Sequence, residues 1–239
     1  MDPARSELPV ADRWRRAGDG AHYAGERFSS RRARERDPRL VTRLLDALPP
    51  GAAPIRSVLD VPCGGGRLKP ALLRLGGASP PRWTGVDASE EMLAAVPRQG
   101  AVGEDLQGDL QRDLQGETVR ADAAALPFPD DSFDLVVCCR LLHHLPEAAA
   151  RRAVLAELVR VSRDLIVASY WDAASFQAWR RRTRGPLRRR RGPETRRAVP
   201  WAELREELGG AGASPVRRAH SLRFVSQQAF FLARKRRAT

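Results

Sequence analysis

The sequence has few cysteines, only two lysines and no long apolar run. Its three cysteines, Cys63, Cys138 and Cys139, are odd in number and lie in glycine-turn and strand contexts, which disfavours a disulfide framework, and no spacing indicates zinc. The opening MDPARSELP lacks the apolar core of a secretory signal, and no apolar stretch reaches the roughly 18 residues that span a bilayer. These absences favour a cytoplasmic protein, with a peripheral membrane location as the alternative, and predict no bound metal.

The charge is strongly positive and comes from arginine. Lys+Arg outnumber Asp+Glu by 42 to 29, and the formal net charge is +13. Because Ala, Gly and Pro are also abundant, this bias reflects a GC-rich coding sequence as much as function, so the arginine count alone is weak evidence for nucleic-acid binding. The excess is local, since residues 180–197 hold ten arginines and one acid, Glu194, and carry a net charge of +9.

Short apolar strands alternate with helices along most of the chain. Unbroken apolar strands in repeated βα units are typical of a mostly parallel sheet that helices cover on both faces. The last two strands fit an antiparallel hairpin at the sheet edge. The predicted strands lie at 57–61, 83–86, 118–121, 133–139, 165–169, 217–221 and 224–233, and the predicted helices at 38–48, 68–75, 90–96, 147–161 and 200–208.

The composition divides the chain into three parts. Residues 1–37 are polar and arginine-rich, and we predict that they form a segment that closes over a site. Residues 38–239 are predicted to form one α/β domain, in which residues 172–199 are an arginine-rich insertion. Asp37 followed by Pro38 predicts the start of the first helix, with Asp37 as N-cap and Pro38 at the first helical position.

A glycine-rich turn follows the first predicted strand. Asp60 ends the strand and Cys63-Gly64-Gly65-Gly66 follows, in a place where glycine lets the backbone approach a ligand closely. A dinucleotide-binding turn would carry a third glycine where this chain has Lys69. The acid disfavours a pyrophosphate but suits an ammonium group, which S-adenosylmethionine (SAM) has. The structural alternative is a tight turn with a capping aspartate.

Two further acids end neighbouring strands. Asp87 lies 21 residues after Gly66, where a carboxylate can accept hydrogen bonds from both ribose hydroxyls. Asp122 follows the third strand and can accept from an adenine amino group. Both acids can instead cap a helix or turn, and Ser89 is itself predicted to cap the helix that begins at Glu90.

Four motifs together resemble the class I SAM-dependent methyltransferases, especially the group that includes quinone-biosynthesis methyltransferases. They are Val-Leu-Asp-Val-Pro-Cys-Gly-Gly-Gly, Gly-Val-Asp-Ala-Ser-Glu-Glu-Met-Leu, Leu-Pro-Phe-Pro-Asp-Asp-Ser-Phe-Asp-Leu-Val-Val and Leu-Leu-His-His-Leu, within residues 57–170. The resemblance implies a Rossmann-like, doubly wound, seven-stranded sheet with an antiparallel last strand. Pro62 stands where many relatives have a small or polar residue, and we expect a slightly altered turn.

The resemblance also implies roles by position, with SAM as the cofactor. Asp60 and the glycines are expected near the methionine part, Asp87 at the ribose, and Asp122 at the adenine. Met92 is expected against the adenosine, and Cys139 next to the methionine part. The full predicted cofactor set is Asp60, Cys63, Gly64, Gly66, Asp87, Ala88, Met92, Asp122, Ala123 and Cys139.

The acceptor side is less defined. His143 is predicted as a base or acceptor contact, with packing or capping as the alternative for both His143 and His144. Tyr23, on the N-terminal segment, is the second candidate catalytic residue. Arg140, Tyr170 and Trp171 are predicted acceptor contacts, although core packing is an equal alternative for the two aromatic residues.

The stretch Arg180–Arg197 is the main clue to the acceptor. Arginines bind phosphate or carboxylate, the backbone of RNA, or an anionic membrane, and the alternative is a solvated insertion. The leading hypothesis is methyl transfer to a small or lipid-linked, anionic metabolite. An RNA methyltransferase is the second, although Cys139-Arg140-Leu141-Leu142 lacks an Asn-Pro-Pro-Tyr-type motif. The third is a non-catalytic protein with this fold. The sequence leaves the oligomeric state open.

Overall fold

The computed structural model describes residues 31–46, 48, 52–76, 79–96, 117–184, 196–222 and 225–236. In these ranges the chain forms seven strands, six α-helices and two short 3₁₀ turns. The helices are α1 (Arg31–Leu45), α2 (Lys69–Leu73), α3 (Glu90–Ala94), α4 (Ala148–Val161), α5 (Phe176–Arg184) and α6 (Trp201–Gly210). The strands are β1 (Ser57–Asp60), β2 (Arg82–Asp87), β3 (Glu117–Arg120), β4 (Phe133–Cys138), β5 (Ser162–Trp171), β6 (Ala213–His220) and β7 (Gln228–Lys235).

All seven strands form one sheet in the order β3-β2-β1-β4-β5-β7-β6. Strands β1 to β5 pair in parallel, whereas β7 is antiparallel to both β5 and β6. Since β7 reverses the direction, β6 again runs parallel to β5. Strands β1 to β6 therefore end at one edge of the sheet, called here the carboxyl edge. The predicted mostly parallel sheet with an antiparallel last strand is confirmed.

The sheet is buried on both faces, which explains the unbroken apolar strands. Neighbouring residues Val136 and Val137 of β4 point to opposite faces, and neither has exposed surface. On one face α4 and α6 pack against the sheet, and on the other face α1 and α2 do so. Each buried Val, Leu or Phe contributes about 1.5–3 kcal/mol to the hydrophobic stabilisation of this arrangement.

Helix α1 begins before the predicted start. It starts at Arg31, so Pro38 lies inside the helix and Asp37 is no N-cap. The prediction from the Asp-Pro pair is wrong because tertiary contacts oppose the cost of an internal proline. The Asp37 side chain has no exposed surface and is held by arginines, and the next turn buries Leu40, Val41 and Leu44 against the sheet. The helix therefore crosses the predicted boundary at residue 37.

Other local predictions agree more closely with the structure. Ser89 caps α3, and its hydroxyl accepts a hydrogen bond from the Met92 N–H at 3.3 Å. The last two strands form the expected antiparallel hairpin, although β6 begins at Ala213 rather than at residue 217. None of the helices in the described ranges is both long and apolar enough to cross a membrane.

Candidate functional site

The glycine turn connects β1 to α2 at the carboxyl edge. The Val61 N–H donates to the Val137 carbonyl and the Cys63 N–H to the Val86 carbonyl, both at 2.8 Å, so the turn is fixed to both neighbouring strands. Gly64 and Gly66 have φ values of +54° and +74°, which favour glycine. The Val61–Pro62 peptide bond is cis, and an altered turn relative to the family stays a prediction.

Asp87 joins the glycine turn to the end of β2. One carboxylate oxygen accepts from the Gly64 N–H and the other from the Ser89 N–H, each at 2.9 Å. Burial raises the pKa of Asp87, and these two backbone donors oppose that shift. Each oxygen retains a lone pair, so the carboxylate can still accept from ligand hydroxyls while it fixes the turn.

Asp122 lies just beyond β3 with one oxygen in use. Its Oδ1 accepts from the Ala124 N–H at 2.9 Å. Its Oδ2 is buried and has no hydrogen-bond partner among the described residues. A buried acceptor without a partner is costly in a folded protein, so this atom is placed for a donor from a ligand.

Asp60 is enclosed beneath the glycine turn. It has no exposed surface, and neither carboxylate oxygen has a hydrogen-bond partner in the described structure. Burial raises the pKa of Asp60 to about 7, and the Arg67 guanidinium and the Trp83 indole oppose this shift without overcoming it. The Trp83 N–H likewise makes no hydrogen bond there. A contact between Asp60 and a ligand ammonium stays a prediction.

The Trp83 ring forms the floor of this region. It lies against Gly85, where a Cβ atom would be only 2.2 Å from the ring, so the close approach requires glycine. The Lys69 ammonium lies 4.8 Å from the centre of the same ring. Lys69, which stands where a dinucleotide-binding turn has its third glycine, therefore makes a cation–π contact with Trp83.

A cluster of one acid and two arginines borders the turn, and the sequence interpretation missed it. The Asp37 carboxylate accepts from Arg67 at 2.8 Å and from Arg140 Nε at 2.6 Å. Burial alone would raise the pKa of Asp37. The positive charges of Arg140 and Arg67 lower the pKa by more than burial raises it, so the pKa lies below its ordinary value. The cluster joins α1 to the glycine turn and to the end of β4. The spacing of these residues carries no signal, because the three lie about 30 and 70 positions apart.

Arg140 has an unusual backbone as well. Its φ is +66°, in the left-handed region that costs a non-glycine residue roughly 1–2 kcal/mol. Its N–H donates to the Ser169 hydroxyl at 2.7 Å, which holds the conformation. Backbone in this state concentrates at functional sites. The guanidinium is engaged by Asp37, and its contact with an acceptor stays a prediction.

The remaining predicted cofactor residues lie around the same edge. The Cys63 thiol points into the core, where burial raises its pKa well above the ordinary value. Burial raises the pKa of Cys139 to about 12, so this thiol remains protonated. Met92 is buried at the start of α3. Ala88 and Ala123, next to Asp87 and Asp122, are half-buried.

The two histidines form a buried 3₁₀ turn rather than the start of α4. His143 has no exposed surface and stacks on Trp171, with ring centres 4.4 Å apart and an interplanar angle of 13°. His144 lies on its other side, at 4.3 Å between ring centres. The pair His143–Trp171 therefore lies at the carboxyl edge of β4 and β5. A catalytic role for His143 stays a prediction.

Tyr170 lies on the opposite face of the sheet from Trp171. Its ring has no exposed surface and packs beside Trp201 and Phe231, and its hydroxyl accepts from Arg218 at 3.4 Å. This position favours the core-packing alternative for Tyr170. Tyr23 and the stretch 185–195 of the arginine-rich insertion lie outside the described residues.

The described ranges hold no group of three or more His, Cys, Asp or Glu side chains that suits a metal ion. What the carboxyl edge does hold is a glycine turn and two acids with acceptor capacity, Asp87 and Asp122, on neighbouring strand ends. The carboxyl ends of the strands are where open α/β sheets bind ligands.

Comparisons with known proteins agree with this arrangement. Residues 58–164 match the family model described as a methyltransferase domain. The ubiquinone biosynthesis O-methyltransferase of Hahella chejuensis is 32% identical over 114 residues, which are 48% of this chain and 43% of that protein. The enzyme of the same name from Neisseria meningitidis is 32% identical over 105 residues, 44% of this chain and 40% of that protein. The chain thus spans about two-fifths of the length of these relatives.

A solved structure extends the similarity of the fold. The magnesium protoporphyrin IX methyltransferase from Synechocystis, determined with bound SAH, has a TM-score of 0.69 at 20% identity and covers 95% of this chain and 98% of its own. The fold of this chain is thus the fold of that methyltransferase. The family model describes residues 58–164, a little under half of the chain, as a methyltransferase domain.

The residues present fit SAM as the cofactor. The unpartnered Asp122 Oδ2 suits an amino donor, and Asp87 has acceptor capacity for hydroxyls. Gly64 and Gly66 have positive φ values, which favour glycine, so no side chain projects from these two positions of the turn. The acid Asp60 beneath the turn suits a cation rather than a phosphate.

Proposed function

We propose that this chain transfers the methyl group of SAM to a small or lipid-linked, anionic metabolite. The observation that carries the proposal is the buried Oδ2 of Asp122, an acceptor without a partner among the described residues, at the strand end next to Asp87. Two acids on neighbouring strand ends fit an adenosine, with its amino group and its two ribose hydroxyls.

The chain's part in the reaction is mainly to bind and to position. SAM supplies a methyl group on a sulfonium, which is already a strong donor. Asp87 and Asp122 orient the nucleoside part, and the pKa of the enclosed Asp60 is about 7, so a bound cation would favour its charged form. Holding the acceptor in line and excluding water accounts for most of the rate enhancement in such a transfer.

The acceptor is proposed from its chemistry at the carboxyl edge. The stacked pair His143–Trp171 lies at the ends of β4 and β5, and at the same edge the Arg140 N–H donates to the Ser169 hydroxyl. A hydrophobic ring compound with an acidic group fits these neighbours. The matched relatives are named for ubiquinone biosynthesis and for O-methylation, which supports an oxygen acceptor on such a compound.

The cofactor part is tested by titration calorimetry with SAM. Asp122→Asn keeps the oxygen that binds the Ala124 N–H and replaces the free acceptor by a donor, so the variant changes little else. We expect SAM affinity to fall roughly tenfold or more, since one hydrogen bond to a charged acceptor is lost. The control Asp46→Asn alters an exposed acid at the end of α1 and should bind like the wild type. Equal affinity in both variants would contradict the assignment.

The acceptor part needs a second experiment. The full chain is incubated with methyl-labelled SAM and a cell extract, which is then separated into lipid, small-molecule, RNA and protein pools. We expect label in the lipid or the small-molecule pool. Label confined to RNA would overturn the acceptor class and leave the methyltransferase assignment intact, whereas no label in any pool would count against catalysis.

A further inference from the structure

Exposed apolar side chains lie together at the carboxyl edge. Five large hydrophobic residues are exposed in the described structure, and four of them lie on α5 and on the connection between β6 and β7. The exposed fractions of these four are 51% for Phe176, 56% for Trp179, 63% for Leu222 and 49% for Val225. The fifth, Val216, lies in the middle of β6. We call the four residues the apolar patch.

Hydrogen bonds tie the two segments of the patch into one surface. The Gln177 N–H donates to the Val225 carbonyl at 3.3 Å, and the Gln227 N–H donates to Gln177 Oε1 at 3.1 Å. The Phe176 and Trp179 rings stack, with centres 5.4 Å apart. The apolar patch is therefore held in place rather than scattered, and grouped exposure of this kind marks an interaction surface.

The patch lies beside the acceptor side of the site. The Asp172 N–H, directly after β5, donates to the Gln227 carbonyl at 2.7 Å, which fixes the patch to the residue that follows Trp171. Trp171 in turn stacks on His143. A flat partner that covers the apolar patch would therefore lie at the same edge of the sheet as the proposed acceptor side.

Positive charge follows the patch in the sequence, and one arginine beside it is exposed. Arg180, one position after Trp179 on α5, is exposed. The sequence from 180 to 197 contains ten arginines and a single acid, Glu194. The buried acid Asp172, whose N–H bonds to Gln227, pairs with His220 at 2.9 Å. An occupant of this surface must therefore be apolar in part and anionic in part.

We propose that the apolar patch and the exposed Arg180 beside it on α5 dock the protein onto an anionic lipid bilayer. Aromatic and aliphatic side chains enter the headgroup boundary while arginines meet the lipid phosphates, which is the pattern of interfacial helices. The bases of RNA could stack on the two aromatic rings, but binding of this kind does not explain exposed aliphatic side chains such as Leu222 and Val225. Docking would bring the carboxyl edge to the membrane, so the lipid-linked form of the acceptor follows, and this last step rests on the proposed function.

Vesicle sedimentation of the full chain tests the docking. The probes are vesicles of phosphatidylcholine alone and of phosphatidylcholine with phosphatidylglycerol, without SAM or acceptor. We expect binding to the anionic vesicles, weaker binding at high salt, and a loss of roughly tenfold or more in the double variant Phe176→Ser/Trp179→Ser, since the apolar anchors are removed. The matched control Val216→Ser removes an equally exposed apolar residue outside the patch and should bind like the wild type.

Two measurements make the test independent of folding and of catalysis. SAM calorimetry on each variant shows whether the domain is folded, and Leu222→Ser/Val225→Ser gives a second variant without loss of an aromatic residue. Failure of the wild type to bind anionic vesicles while it binds SAM would overturn the docking and leave the proposed function. Equal binding by the patch variants, or tight binding of single-stranded RNA that the vesicles do not displace, would also overturn it.

Discussion

Asp60 is a carboxylic acid that folding removes from water without a hydrogen-bond partner in the described structure. Its pKa rises from 3.8 to about 7 because burial disfavours the charged form. Because the pKa of Asp60 is higher in the folded than in the unfolded protein, its contribution to stability is fully present below about pH 4, where Asp60 is protonated in both the folded and the unfolded protein. This contribution is lost as the pH rises through about 7. When a cation binds next to Asp60, its charge should stabilise the ionised carboxylate and so offset the free-energy cost of burying it.

Asp60→Asn should therefore stabilise the ligand-free protein at high pH, because an uncharged group replaces a buried charge. The stability gained by the variant over the wild type should be larger at pH 8.5 than at pH 5 by on the order of 2–3 kcal/mol, because the wild type loses about 1.4 kcal/mol per pH unit between pH 5 and about 7. Urea unfolding at the two pH values measures this, with Asp46→Asn as the exposed control. A gap between variant and wild type that is the same at both pH values would contradict the shifted pKa.

Helices α4 and α6 are held together by a buried arginine. Arg151 has no exposed surface, and its Nε and Nη2 donate to the two oxygens of Glu207 at 3.1 Å and 2.7 Å. Its Nη1 donates to the carbonyls of Leu145 and Pro146, each at 2.9 Å. All three nitrogens are thus in use, and the same side chain fixes the segment between the histidine turn and α4.

Arg151→Leu should destabilise the fold strongly, because it leaves the Glu207 carboxylate buried with no guanidinium to pair with. The expected loss is about 3–5 kcal/mol in the free energy of unfolding. Arg152→Leu is the matched control, since Arg152 is exposed one position further along α4, and it should change the stability by less than about 0.5 kcal/mol. If chemical denaturation gave similar losses in the free energy of unfolding for both variants, the buried Arg151–Glu207 pair would not be the cause of the destabilisation.

The whole molecule should respond to its cofactor as one folding unit, because the single sheet carries the site on several of its strands. Binding only to the folded state stabilises it by about 2.7 kcal/mol at 100 times the Kd. For a chain of this length that corresponds to a rise in Tm of about 5–10 °C. Calorimetric scans with and without SAM measure the shift.

Gly66→Ala tests whether the glycine turn transmits this effect. Its φ of +74° strains any side chain, so the variant should have both a lower Tm and a smaller SAM-induced shift. Gly209→Ala is the control, because a Cβ there meets nothing within 4 Å and α6 continues through it. A full SAM-induced shift in Gly66→Ala would show that the cofactor does not depend on the turn.

Local pattern in the sequence was enough to predict the sheet and the position of two acids at its carboxyl edge. Strand ends in an open α/β sheet meet at one edge, so Asp87 and Asp122 could be placed together from their positions after apolar runs. The Gly64–Gly66 turn could be predicted in the same way, because glycine at a strand-to-helix turn has a local cause. These features depend on neighbours in the chain.

Only part of what Asp60 does could be predicted from the sequence. Its position at the end of β1 followed from the sequence. Its burial under the turn and its pKa did not, because they depend on residues of other elements, among them Trp83 and Arg67. Tyr170 and Trp171 show the same limit. Successive residues of a strand face opposite sides, and only the tertiary structure showed that Tyr170 packs beside Trp201 of α6 whereas Trp171 stacks on His143.

The sequence by itself determined the fold class, the order of the elements and the acids at the strand ends, because these follow from hydrophobic period and turn chemistry. Only the tertiary structure decided that Asp37 joins Arg67 and Arg140, that α1 continues through Pro38, and that four apolar side chains meet at the surface. The physical reason is that ion pairs and exposed patches depend on distances in space, and residues that are far apart in the chain carry no local signal of their contact.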